Sequence, residues 1–124
     1  ETEKFDIVGH FDKIKMHKRG RYDSEDDKWY RDLLMETLTL IKEKDLIVEI
    51  NTRGIYKKRS DDFYPSTWLF PIMKEMNIPV VISSDSHKAE ELTLFFKEAE
   101  DALKVAGYKE TVCYKNGAFA GLKL

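Results

Sequence analysis

The chain has 124 residues, of which 42% are hydrophobic, 12% aromatic and 35% charged, and 21 basic against 23 acidic side chains leave a formal net charge of −2. Seven Phe, six Tyr and two Trp supply enough apolar surface for one domain with its own core and exclude a disordered chain. The single cysteine, Cys113, excludes an intrachain disulfide and points to a reducing cytoplasm, while the near-balanced charge gives no global field that attracts nucleic acid.

No apolar run approaches the roughly 20 residues of a membrane helix, and no basic segment followed by an apolar one opens the chain. The first residue is Glu1, and apolar strand character begins at Phe5. The chain is therefore expected to be the later part of something longer.

Phe5 to Val8 reads as a short strand ending at Gly9-His10. Residues 11–24, with Lys13, Lys15, His17 and Arg19, read as a basic, solvated connection. A helix is expected from Ser24, capped by that hydroxyl and opened by Glu25, Asp26 and Asp27, with Tyr30, Leu34, Leu38 and Ile41 on one face. Leu46 to Ile50 is nearly all apolar, as in strands buried on both faces of a parallel sheet.

After the polar loop from Lys57 to Asp62, an amphipathic segment runs to about Asn77. Pro71 within it predicts a late helix start or a kink. The Trp68, Leu69, Ile72, Met73, Met76 stripe reads as core packing. Ile78 to Ser83 is a third strand. A long helix follows, with Leu92, Phe95, Phe96, Ala99 and Leu103 on one stripe and Gly107 as terminator. Asn116-Gly117 predicts a tight turn between two final strands. The threefold alternation of strand and helix implies a parallel sheet covered by helices.

The unusual polar residues gather at C-terminal strand ends: His10 after the first, Glu49 and Asn51 closing the second, Asp85 and His87 after the third. That edge is where open α/β sheets and barrels build sites. Asp85 and His87 pair a hard oxygen with a borderline nitrogen, which suits zinc or another divalent transition metal. The competing reading makes Asp85 or Ser86 the cap of the following helix. Glu49 is open to two readings, a buried paired carboxylate or a site carboxylate; Arg53, Lys57, Lys58 and Arg59 lie close to the same edge, most of them as solvated surface charges, with Arg53 the one whose guanidinium is expected to grip a phosphate. Nothing matches a dinucleotide-binding or Walker loop.

Four ordered segments, Asp6-Ile7-Val8-Gly9-His10-Phe11-Asp12, Glu49-Ile50-Asn51-Thr52-Arg53-Gly54, Tyr64-Pro65-Ser66 and Ser84-Asp85-Ser86-His87, resemble the later motifs of the polymerase and histidinol phosphatase (PHP) phosphoesterases, the histidinol-phosphatase branch above all. The resemblance covers nearly the whole chain. It implies that residues 1–124 are the C-terminal portion of one distorted TIM-like (β/α)7 barrel, with parallel strands alternating with helices.

The activity implied is metal-dependent hydrolysis of a phosphate monoester, L-histidinol phosphate in histidine biosynthesis, with up to three divalent ions (Zn, Mn or Fe). Asp85, His10 and His87 would each ligate one ion, with Asp85 and His87 the catalytic pair. Arg53 and Lys57 would face the phosphate, with Asn51 and Glu49 beside them. Relatives often carry Ser where this chain has Arg53, and Arg where it has Tyr56. The family's opening H-x-H motif and bridging glutamate belong to an earlier half absent from this sequence. The chain alone should therefore hold metal poorly and should associate with that N-terminal part or with another copy of itself.

Overall fold

A computed structural model describes residues 5–17 and 27–124 of the chain. The elements are β1 (Ile7–Val8), a 3-10 turn (Lys13–His17), α1 (Lys28–Glu43), β2 (Ile47–Asn51), α2 (Arg53–Tyr56), a 3-10 turn (Thr67–Leu69), α3 (Phe70–Glu75), β3 (Val80–Ser83), a 3-10 turn (Ala89–Glu91), α4 (Phe96–Val105), β4 (Glu110–Lys115) and β5 (Ala118–Lys123).

Each helix stops by the same local device. After α1, Asp45 takes a φ of 52°, while the Asp45 and Leu46 amides return to the carbonyls of Lys42 and Ile41. Lys58 after α2, Asn77 after α3 and Gly107 after α4 repeat it, at φ of 54°, 54° and 98°. This Schellman closure satisfies the last carbonyls and reverses the chain. The residue that follows in three of the four cases, Leu46, Ile78 and Tyr108, is buried and begins the return into the sheet.

β2 is central. It pairs in parallel with β1 through Ile7↔Ile47 and Val8↔Val48, and with β3 from Val48↔Val80 to Asn51↔Ser83. Val48 and Ile50 of β2 and Val80 of β3 pack with Leu34, Leu38 and Ile41 of α1, Met73 of α3 and Leu103 of α4 in one buried cluster. The apolar stripe of α1 is buried at Tyr30, Leu34, Leu38 and Ile41, the four positions its spacing predicts. Its expected cap, Ser24, lies outside the described residues. Pro71 sits in the first turn of α3, where its missing N–H costs nothing, and the 3-10 turn before it makes the late start.

The barrel portion expected from the resemblance is not what forms. Among the described residues the parallel sheet holds three strands in the order β1-β2-β3 and stays open, and β4 and β5 pair with each other, antiparallel, as a separate two-stranded sheet. The result is a small mixed α/β domain. The reason is local: Asn116 and Gly117, at φ of 53° and 82°, make the tight turn that returns β5 along β4, so the chain's last strands satisfy each other instead of extending the parallel sheet.

A second correction concerns the last helix. Phe95 adopts φ 62°, a left-handed conformation that ends any helix reaching it, so α4 begins only at Phe96 and Leu92 lies 59% exposed.

Gly54 in α2 is a point of close approach. A Cβ there would stand 2.7 Å from Cζ of Tyr64. That ring is 1% exposed, and its backbone exchanges hydrogen bonds of 2.8 and 3.1 Å with Asn51, so it cannot retreat. Gly54→Ala is expected to lower unfolding free energy by about 1–3 kcal/mol in urea denaturation, the cost of overpacking. An unchanged midpoint would mean that the ring moves freely.

Candidate functional site

Because β1, β2 and β3 run parallel, their C-terminal ends share one edge. On β2 the Glu49 carboxylate accepts the His10 amide N–H at 2.8 Å and the Asn51 side-chain amide at 3.2 Å. Gly9 permits this, since a Cβ on it would press to 3.3 Å from Glu49 Oε2. Asn51 Oδ1 accepts the Arg53 N–H at 2.9 Å, turning the chain from β2 into α2.

His10 and Asp85 both lie in the left-handed region, at φ 57° and 48°, a conformation that costs an L-residue roughly 1–2 kcal/mol. In it the two side chains meet across the end of β2, with His10 Nε2 3.3 Å from Asp85 Oδ2. His10 Nδ1 stands 3.7 Å from Glu49 Oε2.

Arg53 is engaged within the site. Its Nη1 donates to the Asp85 carbonyl and lies 2.7 Å from His87 Nδ1, and its Nε stands 3.7 Å from Asp85 Oδ2. His87 Nδ1 also lies 2.9 Å from the Asp85 carbonyl, so this ring nitrogen faces a donor and an acceptor at once. Tyr56 donates to the Ser84 carbonyl at 2.7 Å.

Lys57 is paired to Glu91, a residue sequence reasoning did not single out. The Glu91 carboxylate also accepts the His87 N–H at 3.1 Å and stands 3.7 Å from Arg53 Nη1. The Lys57 hydrogen bond, then the His87 N–H, hold its pKa at about 2, below the ordinary 4.5.

A second polar cluster lies in the segment expected to be a solvated loop. Lys15 Nζ sits 3.1 Å from Asp12 Oδ2, with the two side chains 6% and 0% exposed. The ammonium donates to the Phe63 carbonyl at 2.5 Å and to Ser66 Oγ, and it lies 5.3 Å from the Tyr64 ring centroid. Ser66 donates to Asp12 Oδ2 from its hydroxyl at 3.2 Å. This clasp ties the connection after β1 to the Tyr64-Pro65-Ser66 segment.

The sequence-predicted residues are thus adjacent: His10, Asp85 and Glu49 in one contact set, Arg53, His87 and Lys57 in the next. The donor types suit a divalent transition metal, and 3.3 Å between His10 Nε2 and Asp85 Oδ2 is close to the roughly 3.4 Å edge of a tetrahedron with bonds near 2.1 Å. The number of donors falls short. Among the described residues no group of three or more His, Cys, Asp or Glu could hold a metal ion, and no helix is long and apolar enough to cross a membrane.

No family model matches the chain. Over 124 residues it is 28% identical to a histidinol-phosphatase of Lactococcus lactis subsp. lactis (strain IL1403), an alignment covering 98% of this chain and 43% of that protein. The chain spans less than half the length of this curated relative, and the likeness is a distant one to a histidinol-phosphatase.

Proposed function

We propose that this chain carries part of the site of a metal-dependent phosphomonoester hydrolase acting on L-histidinol phosphate, releasing L-histidinol and phosphate in the cytoplasm. The observation that carries the reading is the meeting of His10 and Asp85, from the ends of two different strands, at 3.3 Å. The distant likeness to a histidinol-phosphatase supports the choice of substrate.

Among the described residues these donors do not close a metal site, and the remaining ligands come from an N-terminal part of the same enzyme or from a second copy of the chain. A divalent Zn, Mn or Fe ion bound there supplies Lewis acidity toward phosphoryl oxygens. The chain's own residues do the rest. Glu49 fixes the backbone of His10, and Arg53 fixes the Asp85–His87 turn. The guanidinium of Arg53 and the ammonium of Lys57 are the cations nearest to an entering phosphate, which competes for them with Asp85 and Glu91.

The test is phosphate release from L-histidinol phosphate by the chain alone and mixed with a polypeptide carrying the upstream H-x-H motif, with Zn, Mn or Fe(II) and with chelator. Release is expected from the mixture, with loss on chelation. Equal release from other small phosphate esters or nucleotides would change the substrate assignment. Binding without release under every condition would make this a non-catalytic domain.

A further inference from the structure

We propose that Glu91 is the positioning residue of this site, setting the turn from which Asp85 meets His10; the proposal rests on the phosphoesterase reading above. Glu91 closes a 3-10 turn with Glu90, yet it is 5% exposed while its neighbour is open to solvent. Burial of a carboxylate requires donors, and it has them from both sides of the site. From the β3 side comes the His87 N–H at 3.1 Å. From the α2 side comes the Lys57 ammonium, with the Arg53 guanidinium adding positive charge at 3.7 Å.

Arg53 in turn holds the Asp85 carbonyl and the His87 ring. One anion therefore fixes the turn directly through its backbone and indirectly through the guanidinium. Flanking bonds seat the same segment: Thr52 Oγ1 donates to the Leu94 carbonyl at 2.8 Å, and Ser84 Oγ donates to the Leu92 carbonyl at 2.9 Å. Those bonds join hydroxyls to backbone. Among the described residues, Glu91 joins the segment to the charged groups of the site. Residues that orient ligands from behind change metal affinity by about 10–100-fold when removed.

The experiment compares the full 124-residue chain with Glu91→Ala and Glu91→Gln by NMR. It follows amide hydrogen exchange at His87 and the His10 ring signals during titration with Zn2+ alone. In Glu91→Ala the His87 amide is expected to exchange at least about tenfold faster while the Asn51 amide of β2 is unchanged, and Zn2+ affinity is expected to fall by about 10–100-fold. Glu91→Gln keeps an acceptor oxygen and should fall between; a purely packing role would leave Gln equal to Glu in both readouts.

Unchanged His87 exchange with unchanged Zn2+ affinity in Glu91→Ala overturns the proposal. If the chain alone shows no Zn2+ response, the titration is repeated with the upstream H-x-H polypeptide present; no response there sinks the phosphoesterase reading, and His87 exchange decides the role of Glu91 by itself. If the Ala variant does not fold, the Gln variant decides, and equality with the parent overturns the proposal.

Discussion

Replacing Lys15 by Met is expected to lower the unfolding free energy by about 3–5 kcal/mol, measured by urea denaturation followed through tryptophan fluorescence. The ammonium is almost wholly out of water, 3.1 Å from the fully buried Asp12 carboxylate, and it donates to Phe63 and Ser66 as well. Removing it takes a positive charge from 3.1 Å beside the buried anion together with the hydrogen bonds to Phe63 and Ser66, and both losses set the size of the effect. Against the 5–15 kcal/mol typical of a domain, this is at least about a fifth of total stability. Adding Asp12→Asn to Lys15→Met should recover about half the loss, because a buried amide costs far less than a buried carboxylate. A loss below about 1 kcal/mol would mean that water reaches the pair.

Asp85→Asn is expected to leave the fold intact and remove the site's response to metal. The backbone at Asp85 has φ 48°, and Asn accepts the left-handed region nearly as well as Asp, so the melting temperature should shift by only a few degrees. The carboxylate charge is what His10 Nε2 meets at 3.3 Å and Arg53 Nε at 3.7 Å. Its loss should weaken Zn2+ binding at His10, and phosphate release in the completed enzyme, by at least about a hundredfold, beyond what removal of an outer partner costs. Asp85→Ala is the poorer experiment, since it adds a left-handed penalty of roughly 1 kcal/mol to the loss of charge. Full Zn2+ response in Asp85→Asn would remove Asp85 from the metal reading.

The sequence made legible those features that arise from period and punctuation. The buried face of α1, the apolar β2, the displaced start of α3 at Pro71 and the Asn116-Gly117 turn all follow from residues a few positions apart. The gathering of His10, Glu49, Asn51, Arg53 and Asp85 at one edge follows from parallel strand direction, which the alternation of elements implies.

Other features depend on distant contacts and left no local trace. Glu91 sits in a run of charged residues beside Glu90, and its burial comes from where the turn lands against α2 and the Asp85–His87 turn. Lys15 and Asp12 belong to a stretch whose composition is that of a solvated loop, yet they pair beneath Ser66, 51 positions further along the chain. The stripe from Leu92 to Leu103 has helical spacing, but the left-handed Phe95 divides it. The barrel expectation failed because motif order reports which strands exist and says nothing of how many neighbours each finds.

The shortness of β1 gives the two halves of the site unequal lifetimes. Asp85 leaves a strand registered over four residue pairs with β2, whereas His10 leaves one registered over two. Opening of that short segment takes far less free energy than global unfolding. On warming, the imidazole should therefore swing away from its carboxylate partner while the sheet's centre is still native, so that loss of the site and loss of the fold become two separate thermal events.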